Sequence, residues 1–159
     1  MSFPRDEARL QGQCFVDEWV DIEASPEQIW PWLAQMGNGR AGWYSYDWLD
    51  NLGKKSFTFI DSSLIEISKD QKIPFALISE VETNRLLTYQ FGSWASMTYF
   101  LEVLSGQRTR LWTRARFKDP GWFLKALIQR GHLFMQEKQF QELKKRVETL
   151  ARVEGSLRK

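Results

Sequence analysis

An α+β fold, one antiparallel sheet crossed by a long C-terminal helix, is predicted by three features of the chain. Residues 14–23 alternate apolar and polar side chains, and residues 75–117 contain four strand-like runs joined by short turns. From residue 133 onward, apolar side chains recur at helical spacing. Strand, two short helices, meander and long helix in that order segregate helix from sheet. The 159 residues fit a single domain, 1–159, with an ordered core expected over 13–152. A chain of this size buries roughly 70% of its unfolded surface and needs no covalent staple.

The first strand places Val16, Val20 and Ile22 on one face and Asp17, Asp21 and Glu23 on the other. Glu18 interrupts the inner face, either as a strand-end effect or as a polar group aimed into a cavity. Ser25, Pro26 and Gln28 then form a helix start: a cap, a proline where no N–H is needed, and a capping box. Ile29, Trp32, Leu33 and Met36 make its apolar stripe, and Pro31 is expected to kink it. After a glycine-rich loop, Ser45 is expected to cap a second short helix with Asp47 in its first turn and Gly53 as its stop.

Residues 54–74 read as irregular strands and loops around Phe57, Phe59, Leu64, Ile65 and Ile67. Beyond Pro74, the runs 75–82, 86–91, 97–104 and 108–117 are separated by Thr83-Asn84, Gly92-Ser93 and Ser105-Gly106, which is turn chemistry. Asp119 and Pro120 start the C-terminal helical region. Its early apolar set (Trp122, Phe123, Ala126, Leu127) points about 100° away from the later one at 3.6 residues per turn. The later set is Leu133, Phe140, Leu143, Val147 and Leu150, with Gln136 on the same face. Gly131 between the two predicts a short helix followed by a long one.

A formal charge of +2 with scattered basic residues gives no nucleic-acid stripe, and no nucleic-acid partner is expected. Cys14 is the only cysteine, so an internal disulfide and a cysteine-rich metal site are excluded. His132 is the only histidine, and no ligand spacing surrounds it, so no metal and no cofactor are expected. The first residues lack the apolar stretch of a signal peptide, and no run reaches the roughly 18 apolar residues of a membrane span. A cytoplasmic location follows as the expectation, while the oligomeric state is left open.

Residues 30–49 carry a more specific pattern. Trp30-Pro31-Trp32-Leu33, Met36-Gly37, Gly39-Arg40 and Gly42-Trp43-Tyr44-Ser45-Tyr46-Asp47-Trp48-Leu49 resemble bacterial members of the START-like (SRPBCC) superfamily. Thr109-Arg110-Leu111, Arg114, Arg116, Phe134-Met135, Lys138, Phe140, Leu143-Lys144 and Arg146 extend the likeness over about residues 20–148. The chain departs from the pattern at Lys69-Asp70-Gln71-Lys72, where a Gly-Asp turn is usual, and at Gln136, where an acid is common. The resemblance implies a helix-grip fold: a curved antiparallel sheet, two short helices after the first strand, and a long C-terminal helix across it. It also implies a cavity between helix and sheet. A substrate does not follow, since one fold hosts many activities.

Several motifs compete for a functional reading. Gly37-Asn38-Gly39-Arg40-Ala41-Gly42 matches a dinucleotide-binding string but follows a capped helix instead of a strand, so it reads as a helix–helix connection. Arg40 either holds an acidic ligand head or pairs with Asp47 to fix the loop, and the structural role is preferred. Arg108, Arg110, Arg114 and Arg116 share one strand parity with Trp112, opposite Leu111, Thr113, Ala115 and Phe117. The arginines belong on the solvent face, since burying several charges is costly. His132 reads as a rim residue near Gly131 rather than a general base.

The leading expectation is a binder of a small hydrophobic ligand, lipid- or polyketide-like, without catalysis. Candidate cavity residues are Arg40, Trp43, Tyr46, Met97, Tyr99, Leu101, Leu111, Thr113, Leu133, Gln136 and Phe140. For Met97 and Tyr99 the rival face is Trp94, Thr98 and Phe100. The alternatives are a cyclase- or hydratase-type enzyme using Glu18, His132 or the tyrosines, and a protein-interaction module with a filled core.

Overall fold

The computed structural model describes residues 13–118 and 122–157. Strand β1 (Gln13–Ile22) leads into α1 (Pro26–Ala34) and α2 (Asp47–Asp50). A 3-10 turn (Ser62–Leu64) precedes β2 (Lys72–Ile73), β3 (Ala76–Glu82), β4 (Leu86–Phe91), β5 (Ala95–Ser105) and β6 (Arg108–Lys118). Helix α3 (Trp122–Leu157) closes the chain. The sheet has six antiparallel strands in the order β1-β6-β5-β4-β3-β2, so β1 pairs with the last strand of the meander. The whole is α+β, with two short helices and one long helix.

Strand parity follows the apolar pattern. In β5, Ala95, Met97, Tyr99 and Leu101 are buried, and in β6 Thr109, Leu111, Thr113 and Ala115 are buried. Of the rival set, Thr98 is buried against Thr88 with their hydroxyls 3.0 Å apart, Phe100 is half-buried, and Trp94 precedes the strand and is 58% exposed. Glu18 pairs with Thr113 in the middle of β1 and is half-buried, which removes the strand-end reading.

Helix α1 begins as its sequence requires: the Gln28 side chain accepts from the Ser25 backbone N–H at 3.2 Å. It continues through Pro31 to Ala34, and Ile29, Trp30, Trp32, Leu33 and Ala34 are all buried. A short helix with so little polar face must be enclosed. It is, because α1 contacts both β5 and α3. The buried Tyr89 hydroxyl donates to the Leu33 carbonyl at 3.0 Å, satisfying one of the orphan acceptors at the helix end.

Two expectations need correction. Helix α2 is capped by Tyr46, one residue after Ser45, and no side chain makes the cap. Helix α3 is one uninterrupted element of 36 residues with no break at Gly131. Gly131 faces open space, and the roughly 1 kcal/mol cost of a helical glycine is tolerable when helix continues on both sides. The expected caps Asp119 and Pro120 lie outside the described residues, as do the side chains of Trp122, Phe123, Ala126 and Leu127.

On the outer face, β1 and β6 neutralise each other. Arg114 grips Asp17 through Nε and Nη2, both at 2.6 Å, and Asp21 accepts from Arg108 at 2.8 Å and from Arg110 at 2.7 Å. Arg110 lies 4.0 Å above the Trp19 ring and 5.8 Å from that of Trp112. Arg114 is only 7% exposed, so its outward parity does not leave it solvated.

The Gly37–Gly42 loop closes on itself. The Gly37 and Gly42 amides donate to each other's carbonyls at 3.1 and 3.2 Å. Gly42 has φ +83°, and a β-carbon there would stand 2.3 Å from Ser56 Oγ. Gly53, at φ +79°, faces open space. Gly42→Ala should therefore cost about 2–4 kcal/mol of unfolding free energy in urea denaturation, and Gly53→Ala only about 1 kcal/mol.

Candidate functional site

Helix α3 and α1 share the inner face of the sheet, and α1 fills only one part of the gap beneath α3. Toward the β4–β5 hairpin the gap stays open as a hollow of about 290 Å³. Its walls are Trp43, Phe91, Trp94, Ala95, Met97, Tyr99, Ala115, Phe117 and Met135. Ser45, Asp50, Ser96, His132, Gln136 and Gln139 supply the polar groups.

The aromatic walls brace one another. The Trp43 ring meets Tyr89 edge-on with centroids 5.1 Å apart and lies 5.7 Å from Phe91. Phe117 stands 6.5 Å from Trp94 and meets His132 edge-on at 5.7 Å. Such contacts give rings a defined orientation beyond simple burial.

Gln139 ties the floor to the lid. Its Nε2 donates to the Trp43 carbonyl at 2.7 Å, and its Oε1 accepts from the Tyr99 hydroxyl and from Gln136 Nε2, both at 3.0 Å. One side chain thus connects α3, β5 and the segment before α2. The Ser45 hydroxyl donates to the Met135 carbonyl at 3.2 Å, adding a second link between that segment and α3.

Two polar groups in the hollow lack such partners. Both carboxyl oxygens of Asp50 and Nε2 of His132 are buried without a hydrogen bond. Burial, reinforced by the neighbouring Asp47 carboxylate, pushes Asp50 up to about 6, and Ser45 only partly opposes this. Burial pushes His132 the other way, down to about 4. Near neutral pH the hollow therefore holds a carboxylate and an uncharged imidazole. Burial also raises Tyr99 above the usual phenol range.

Of the residues expected to line a cavity, Trp43, Met97, Tyr99 and Gln136 stand around this hollow. Leu101, Leu111, Thr113 and Phe140 are buried in the core but lie away from it. Tyr46 stacks on Phe134 at 4.7 Å, outside the hollow. Arg40 is a loop strap: Nη2 donates to the carbonyls of Ala34 and Leu64. Asp47 does not pair with it but accepts from the Ser56 amide and hydroxyl at 3.1 and 2.5 Å. Tyr44 is also part of the scaffold, its hydroxyl accepting from Gln35 at 2.7 Å. Leu133 is corrected: it is 38% exposed, because it sits at the margin of a buried stripe centred on Gln136, Gln139 and Leu143. Glu18 is not among the lining residues.

Asp50 and Gln139 escaped sequence reasoning. Asp50 reads as ordinary first-turn charge on an exposed helix. Gln139 had one usable signal: with His132, Met135 and Gln136 it repeats at three- and four-residue spacing, the mark of one helix face.

Among the described residues, no group of three or more His, Cys, Asp or Glu is placed to hold a metal. No described helix is long and apolar enough to cross a membrane. No protein-family model matches the chain, and no curated protein matches it by sequence. Solved structures do match in fold. A Chromobacterium violaceum protein superposes with a TM-score of 0.53 at 12% identity, over 84% of this chain and 96% of that one. CalC from Micromonospora echinospora, described as a self-sacrificing resistance protein, gives 0.51 at 16% identity over 85% and 94%. DynU16, from the dynemicin biosynthetic locus, gives 0.52 at 12% identity over 82% of this chain. The chain spans 47% of the length of DynU16. At these identities the likeness is one of fold alone.

The opposed shifts of Asp50 and His132 make a prediction about acid stability. Asp50 holds its proton more tightly when folded, so its contribution to stability falls as pH rises from 3.8 to about 6. His132 holds its proton less tightly when folded, so its contribution rises with pH from about 4 to 6.5. In the parent chain the two oppose each other. Asp50→Asn should steepen the loss of Tm on acidification, whereas His132→Gln should raise Tm relative to the parent toward pH 4; thermal melts at closely spaced pH values will show both.

Proposed function

We propose that this protein is a START-like domain of the helix-grip type that binds one small hydrophobic molecule between α3 and the sheet, without catalysis. The hollow of about 290 Å³ carries the reading: its walls are mostly apolar and aromatic, with a few polar groups at set positions. Burial of a guest's apolar area supplies the driving force, at about 25 cal/mol per Å². The size favours a compact ring system, polyketide-like, over a long-chain lipid. Fold relatives from a biosynthetic locus and from a resistance system are in keeping with a small-molecule role.

A second reading draws on one observation. Asp50 and His132 share the hollow with their protonation tendencies driven apart, which is how acid–base pairs are prepared. A cyclase- or hydratase-type enzyme would use them so. The interaction-module reading has less support, since a hollow remains beside the packed core and Arg108, Arg110 and Arg114 already pair with Asp21 and Asp17.

Native mass spectrometry of the purified protein should reveal a carried small molecule, and N-phenyl-1-naphthylamine, an uncharged apolar dye, should brighten on binding. Ala115→Leu and Ala95→Leu, which extend side chains into the hollow, should abolish both signals while circular dichroism stays unchanged. Dye uptake equal in parent and filled variants would sink the assignment. Turnover of the extracted molecule, lost in His132→Gln with binding retained, would favour the enzyme.

A further inference from the structure

Resting on the binding reading above, we infer that the hollow selects a compact apolar guest bearing a positive charge, a hydrophobic amine whose ammonium group meets Asp50. The hollow carries unmatched hydrogen-bond capacity. Several side-chain donors around the hollow are engaged within the protein: Tyr99 and Gln136 with Gln139, Gln139 with the Trp43 carbonyl, and Ser45 with the Met135 carbonyl. Nε2 of the uncharged His132 is left without a partner. Both oxygens of Asp50 are shielded from water and make no well-formed hydrogen bond, and the nearby Ser45 hydroxyl and the Asp50 amide relieve the carboxylate only in part. A carboxylate in that state costs stability, and a guest that donates to it recovers the loss.

The neighbours of Asp50 add no compensating charge. Asp47 on its own helix is a second carboxylate, Tyr99 across the hollow is held as the neutral phenol, and His132 on α3 is held uncharged by burial. Among the described lining residues there is no lysine or arginine. The local field is therefore negative, and it disfavours a fatty-acid or other carboxylate head. The same walls present Trp43, Phe91, Trp94 and Phe117, whose ring faces attract a cation and accept its apolar body. An ammonium group brings three donors and a full charge to a site short of both.

Calorimetric titration of the full chain at pH 7.5 with three probes of one shape tests this: 2-phenylethylamine, 2-phenylethanol and 3-phenylpropionate. The amine should bind about tenfold or more tighter than the alcohol, and the carboxylate weakest of all. Asp50→Asn, an isosteric change, should remove the preference for the amine and leave the alcohol within about twofold. Lowering the pH from 7.5 to 5, through the range near 6 where Asp50 takes up its proton, should weaken the amine and leave the alcohol unchanged. An alcohol that binds as well as the amine, or a preference that survives Asp50→Asn, overturns the inference. If both bind equally and Ala115→Leu excludes both, the hollow stands as a binding site and only its charge selection falls. If none of the three binds, the charge inference falls, and the uncharged dye decides the binding reading separately.

Discussion

A helix laid across a sheet touches only part of it, and the fate of the remaining gap governs this molecule. Helix α3 has 36 residues, about 54 Å at the α-helical rise, whereas β5 and β6 have 11 residues each, about 37 Å. Register shifts at Ile78/Glu80 and Val103/Ser105 bend β3 and β5 locally. Helix α1 enters this gap with Ile29, Trp30 and Leu33 and makes a solid core with Leu101, Leu111, Leu143 and Val147. Nothing equivalent fills the region by the β4–β5 hairpin, where the hollow remains, and a second depression of about 530 Å³ lies by Trp32, Phe59, Ile60, Arg146, Leu150 and Val153.

Polar side chains keep the open end from collapsing. Gln139 holds Trp43 and Tyr99 at fixed distances from α3, and α3 is secured farther along by Lys144 Nζ donating to the Asp21 carbonyl at 2.6 Å and by Glu148 accepting from the Glu23 amide at 3.0 Å. A gap lined by aromatics and bounded by satisfied hydrogen bonds resists closure, because closing it would break those bonds in a poorly solvated setting. The same enclosure leaves Asp50 and His132 poorly solvated, so the void and its unusual electrostatics have one origin.

The outer face of the sheet illustrates a limit of period-two reasoning. Alternation correctly separates the arginines of β6 from Leu111, Thr113 and Ala115, but parity says nothing about what lies opposite on the neighbouring strand. Register brings Asp17 to Arg114 and Asp21 to Arg110, turning an expected cationic surface into cross-strand ion pairs.

The chain by itself determined the order of elements, the meander, the start of α1, and the inward parity of Leu111 and Thr113, because caps, turns and alternation are local and act within a few residues. For Met97 and Tyr99 it left two faces open, and the sheet pairing chose between them. The same local logic failed at Gly131, where a phase change between two apolar sets imitated a break that a long helix does not need. Only the tertiary structure decided where the hollow lies, that Leu101 and Phe140 belong to the filled end, and that Asp50 and Gln139 border it. Those outcomes depend on which part of the sheet α1 occupies. That is a competition for space among segments distant in sequence, and no spacing along the chain encodes it.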